Sequence, residues 1–316
     1  MRYLNQDITF KAFDRLSSIR LLIKINVFRS PMSELISLQY SINHLIAKII
    51  FKVKNRKFNL NKNQYAKKFN QVGFACFTDK NIENECKSIL QKLNSEDEPW
   101  DSENRFNRSA SKAFKKELIN IFNSGVNEFI QSAFDSDYYI FYHTLYKSNR
   151  LSKAKIPEGS QLWHADGGPG NCMNLMICHS HINEFNGSMK IFPWEISKKL
   201  LGNLSYGYKR LIRSDLNKIK NFDHSRMAYR ELKCNLLAKY IKKNAYKFFQ
   251  PKSKTSGTIF AFRNNCVHAG GFTEVGNERI VSIFHIYPSK KQTSIEEKFE
   301  SLHLKNKALP APKELP

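Results

Sequence analysis

Three side chains in this sequence have the types and spacing to hold a transition metal. His164 and Asp166 lie in QLWHADGGPGN (161–171), and His268 lies in SGTIFAFRNNCVH (256–268). In an extended chain residues i and i+2 point to the same side, so His164 and Asp166 can reach one ion. By itself an H-x-D triplet fits an ordinary surface loop as well as a metal. A site needs a further ligand from a different strand, and His268 sits near the end of a predicted strand that begins at Gly257. Two neutral imidazoles and one carboxylate suit Fe(II), and they leave coordination positions open for a chelating co-substrate and O2. Arg279 opens the return strand. From there its guanidinium can meet the far carboxylate of such a co-substrate in a two-pronged pairing.

Other candidates are weaker. Asn174, Met176 and Cys178 alternate along one strand face and are candidate pocket-lining residues, Asn174 and Met176 as co-substrate contacts. Core packing explains Met176 and Cys178 equally well. His179 and His181 resemble a metal pair but have no carboxylate in the same motif, and read as structural or surface residues. Cys266 shares a face with His268, where an inert buried thiol is the better reading.

These residues need strands to position them, and the C-terminal half supplies the pattern. DYYIFYHTLYKS, NCMNLMICHSHI, GSMKIFPW, GTIFAFR and RIVSIFHIYP are aromatic or β-branched runs separated by Gly and Asn turns. They predict an antiparallel barrel or jelly roll. Upstream, FNQVGFACF (69–77) predicts a short strand. A helix follows, with Thr78 or Asp79 as cap and an Ile82/Cys86/Ile89 face. SASKAFKKELINIFNSGVNEFIQSAF predicts one or two more helices. Residues 30–57 predict a helix capped at Ser33, with Leu35, Leu38, Ile42, Leu45, Ile46 and Ile49 on one stripe and a basic end. Such a stripe either docks on the body, the simpler reading, or lies on an anionic membrane.

The charge is unusual for a folded chain of 316 residues: the formal net charge is +23. Residues 1–70 carry +11 and residues 198–254 carry +13, which leaves −1 for the rest. This pattern points to an anionic partner or to compositional bias. The segment 198–254 interleaves tyrosines with its cations, but no nucleic-acid motif accompanies them, which argues against nucleic acid. The six cysteines include no C-x-x-C pair and no secretory leader is visible. Free thiols in a reducing, cytoplasmic setting are therefore expected, with peripheral membrane contact as an option. No run is apolar enough to span a membrane.

Taken in order, the motifs resemble the Fe(II)/2-oxoglutarate-dependent dioxygenases, and among them the phytanoyl-CoA dioxygenase-like family. The carriers are Trp163-His164-Ala165-Asp166, FNGSMKIFPW, SGTIFAFRNNCVH, and Arg279 eleven residues past His268, together with VGFACFTDKNIENECKSIL upstream. The resemblance covers roughly residues 66–290. It implies a mainly β fold with flanking helices, a double-stranded β-helix (jelly roll, cupin-like), with iron on His164, Asp166 and His268 and 2-oxoglutarate anchored by Arg279. It also implies O2-dependent hydroxylation, because the carboxylate position is filled by Asp166. The chain departs from the family at Pro193-Trp194-Glu195-Ile196, at Thr258, and in the length of 198–254. The resulting division is a basic helical extension (1–65), a jelly-roll domain (66–290) with a basic helical insertion (198–254), and a C-terminal tail (291–316). The expected substrate is an anionic small molecule or lipid. The alternatives are a non-catalytic binding protein on the same scaffold and a membrane-surface hydroxylase of a lipid-linked sugar. The oligomeric state is open.

Overall fold

The computed structural model describes residues 30–55, 63–102, 104–149, 172–201, 247–264, 266–271, 273–300 and 302. Its elements in chain order begin with α1 (Ser30–Lys54), α2 (Gln64–Val72), β1 (Phe74–Thr78) and α3 (Lys80–Asn94). Next come α4 (Ala110–Ala113), α5 (Lys115–Ile121), a π turn (Phe122–Val126), α6 (Asn127–Phe134) and β2 (Asp137–Asn149). Then follow β3 (Met173–Cys178), β4 (Lys190–Ile191), α7 (Trp194–Leu201), β5 (Thr258–Arg263), β6 (His268–Ala269), β7 (Glu278–Ser289) and α8 (Ile295–Glu300).

One antiparallel sheet has the order β1-β5-β3-β7-β2, and a smaller sheet pairs β4 with β6. Phe249 extends the smaller sheet through two backbone bonds with Ile191, of 2.8 and 2.9 Å. From β3 onward each strand lies in the opposite sheet from the one before it. β3, β5 and β7 belong to the large sheet, while β4 and β6 belong to the small one. This alternation is the winding of a double-stranded β-helix, and the predicted mainly β fold with flanking helices is what the chain forms.

Alternating side chains divide the large sheet into two faces. Leu175, Ile177, Ile259, Ala261, Ile280, Phe284 and Ile286 join the core beneath the helices. Met176, Cys178, Phe260, Phe262 and Val281 point the other way, toward Ile191 of the small sheet and the flanking Ile182 and Met189. In β2 the phase changes at an irregularity between Ile140 and Tyr142. Tyr138 and Ile140 face the helices, as does Leu145, so Tyr142, Tyr146 and Ser148 fall on the inner face.

The local chemistry explains most boundaries. Asp79 accepts backbone bonds from Asn81 and Ile82, capping α3, and the predicted Ile82/Cys86/Ile89 face is buried. The strand expected over 69–77 begins only at Phe74, because Asn63 caps α2 and Gly73, at φ 86°, ends it in a left-handed turn. After residue 290, α8 adds Phe299 to the core, and Lys298 forms a buried 3.0 Å ion pair with Asp137. α1 begins at Ser30, so Ser33 lies inside the helix rather than capping it.

The helix-side core also buries histidines. His143 stacks on Phe284 with ring centroids 4.1 Å apart, and shares a 2.8 Å hydrogen bond between its Nδ1 and Ser111 Oγ. His179 meets Ser282 Oγ at 2.8 Å, so it is structural, whereas His181 is exposed. Burial holds both His143 and His179 down at about 3, and His44 at about 4, from an ordinary 6.5. The unfolded chain therefore takes up protons below about pH 6.5 that the folded chain refuses until much lower pH. Stability is expected to fall as pH drops from about 6.5 toward 4, by about 1.4 kcal/mol per pH unit for each histidine. Urea unfolding across this range should show that slope, and His143→Asn should reduce it by one proton's worth.

Candidate functional site

The space between the two sheets contains the site candidates that fall within the described residues. The ladder registers arrange the inner face of the large sheet in rows. Phe262, Asn174, His285 and Tyr142 form one row, and Phe260, Met176, Ile283 and Thr144 the next. Thr258, Cys178, Val281 and Tyr146 follow, and Arg279 stands opposite Ser148 at the far end. One end is thus lined by Asn174, His285 and Tyr142, the middle is mostly apolar, and the other end holds a guanidinium.

His268 belongs to the small sheet, where it pairs with Ile191, and it is buried with its ring 4.8 Å from that of Phe262. It therefore sits at the end with Asn174. Its Nδ1 is 2.8 Å from the carbonyl oxygen of Cys266. A carbonyl only accepts, so Nδ1 carries the proton, and in the neutral ring Nε2 carries the lone pair. Metal-bound histidines are commonly oriented in this way. Cys266 itself is buried, donates to the Gly73 carbonyl at 3.5 Å, and is pushed up to about 12 by desolvation, the inert thiol expected.

Arg279 is 4 % exposed. One terminal nitrogen donates to the Gly187 carbonyl, and the other is 3.4 Å from both Tyr146 Oη and Ser148 Oγ. Its Nε is buried without an acceptor, and no carboxylate pairs with it among the described residues. A buried cation without a counter-charge costs several kcal/mol. The chemistry of the donor set fits a carboxylate arriving from outside the chain, since the guanidinium is positioned by neutral oxygens and retains an unused donor.

The carbonyl that orients Arg279 depends on a close backbone crossing. A Cβ on Gly271 would overlap the Ser188 carbonyl oxygen and the backbone of Gly187. Gly187 is itself at φ 87°. Gly271→Ala is expected to push this segment away and to lower stability by about 1–3 kcal/mol, the range for overpacking. Chemical denaturation would measure it.

His164 and Asp166 lie outside the described residues, as do residues 202–246 of the basic insertion. Among the described residues no three His, Cys, Asp or Glu side chains lie together as a metal site. Asn174 and Met176 are both buried on the inner face. Among the inner-face residues that escaped the sequence reading, the polar ones are Tyr142, Thr144, Tyr146, Ser148 and His285. His285 was within reach, since positions 279, 281, 283 and 285 alternate onto one face. The β2 residues were not, because the irregularity after Ile140 reverses their phase.

No family model matches this chain, and no curated protein matches it. Solved structures do resemble it. The epimerase SnoN in complex with Fe3+, alpha ketoglutarate and nogalamycin RO aligns at 12% identity and a TM-score of 0.47, over 80% of this chain and 94% of that one. AviO1 from Streptomyces viridochromogenes Tue57 aligns at 14% identity and a TM-score of 0.46, over 75% and 99%. HygX from Streptomyces hygroscopicus, with nickel and 2-oxoglutarate bound, aligns at 10% identity and a TM-score of 0.45, over 72% and 87%.

Proposed function

We propose that this chain is an Fe(II)- and 2-oxoglutarate-dependent oxygenase that hydroxylates an anionic small molecule or lipid. The observation that carries the reading is Arg279, a buried guanidinium with no carboxylate partner among the described residues, set between the same two sheets as His268. His268 would hold iron through Nε2, and the sequence motif adds His164 and Asp166 as the remaining ligands. When bound, iron and 2-oxoglutarate supply oxidation by O2 with release of succinate and CO2.

The chain's own work is positioning. Arg279 would clamp the distal carboxylate of the co-substrate, and Gly187, Tyr146 and Ser148 fix its fork. Phe260, Met176, Ile283 and Val281 keep the intervening space apolar, which strengthens the charge pairing by excluding water. Asn174, Tyr142 and His285 would offer polar contacts near the metal end. Incubation with Fe(II), 2-oxoglutarate and O2, scored for succinate against candidate acids, lipids and sugars, tests the reading. Metal-dependent succinate supports it. Its complete absence across the panel favours a non-catalytic binding protein on the same scaffold.

A further inference from the structure

α1 is held to the body by one narrow face. His44, Ala47 and Phe51 are buried, His44 meets the Phe134 carbonyl at 2.8 Å, and Lys48 pairs with Asp135 at 3.2 Å. Of the apolar stripe expected to dock, Leu35 and Leu38 have side chains outside the described residues, and Ile42, Leu45, Ile46 and Ile49 do not dock. With Val53 these four follow helical spacing along one side, each 40–59 % exposed. Among the described residues seven large hydrophobic side chains are exposed, and five of them are these. The patch is therefore concentrated on a single helix and is not scattered as ordinary surface apolar residues are.

The charge around the stripe selects what covers it. Besides Lys48, which Asp135 holds, α1 carries Lys52 and Lys54 in its last turn against one acid, Glu34, and the chain as a whole carries +23. A second copy packing α1 against α1 would bring Lys52 and Lys54 of each helix into one seam with a single acid, Glu34, from each. An anionic bilayer accepts both features: the stripe enters the headgroup boundary and the lysines meet lipid phosphates and carboxylates. No described helix is long and apolar enough to cross a membrane, and the stripe is one-sided, so the helix would lie in the plane of the surface.

We infer that the exposed face of α1 is a docking surface for anionic phospholipid bilayers. It does not depend on the oxygenase reading. The test is sedimentation of the full chain with vesicles of phosphatidylcholine, with and without phosphatidylserine. Binding is expected only with phosphatidylserine, and it weakens as salt rises and the Debye length shortens. The double variant Ile49→Ser/Val53→Ser should lower that binding by at least about tenfold, with an unchanged unfolding temperature, because these two side chains lie on the exposed face. Equal binding by the variant, or equal binding to both vesicle types, overturns the inference. So does a lower unfolding temperature of the variant, which would mean that the chain covers its own stripe. A dimer in solution that the variant dissolves overturns it in favour of a second copy. Succinate formation reads out separately and is expected to be the same in the variant.

Discussion

Arg279→Ala is expected to raise the 2-oxoglutarate KM by at least about tenfold, a loss of about 1.4 kcal/mol or more. The guanidinium is buried, and its orienting partners are neutral oxygens from Gly187, Tyr146 and Ser148. Without it, a bound carboxylate would face the apolar interior unpaired. Arg279→Lys should recover only part of the loss, because a point charge cannot reproduce two parallel bonds. Steady-state kinetics at saturating iron distinguish the cases. A KM unchanged in Arg279→Ala would mean that another group anchors the co-substrate.

His268→Ala is expected to abolish iron-dependent turnover and to weaken metal binding by more than the about 10–100-fold typical of changes one shell further out. Asp166→Ala should give the same loss. His181→Ala is the internal control: the His179-Ser180-His181 run looks like a metal pair in sequence, but His181 is exposed and His179 is bonded to Ser282 on the helix side of the sheet. Metal titration followed by Co(II) absorption should therefore be lost in His268→Ala and retained in His181→Ala. Retention in both would remove His268 from the ligand set.

The strands were legible because their apolar alternation and their Gly and Asn turns are local signals. β3 and β5 fall within the predicted runs, β7 exceeds its run by one residue at each end, and Arg279 lies in β7 as expected. His268 does not end the strand that begins after Gly257 but lies in β6, a separate strand of the smaller sheet, because the chain leaves β5 at Arg263 and crosses over. The faces were less legible. One irregularity after Ile140 reverses β2, so Tyr146 and Ser148 reach Arg279 although unbroken alternation would place them on the same face as Tyr138. The helix-to-strand switch at Gly73 was hidden because Phe69 and Phe74 suit either element, and only the cap residues decide. α1 shows the limit of periodicity most clearly: the apolar stripe was read correctly as a helix face, but not which of its faces the body takes. Docking goes through His44, Ala47 and Phe51, a choice set by Phe134 and Asp135 ninety residues away in sequence (about one domain half) rather than by the stripe itself.

The central claim is that the space between the two sheets binds 2-oxoglutarate on a metal with Arg279 as its anchor. Calorimetric titration of 2-oxoglutarate into the Fe(II)-loaded full chain under argon tests it without requiring the substrate. The account predicts saturable one-to-one binding that needs the metal and is weakened at least about tenfold in Arg279→Ala. Absence of binding to the loaded wild-type protein, or equal affinity in Arg279→Ala, would contradict it.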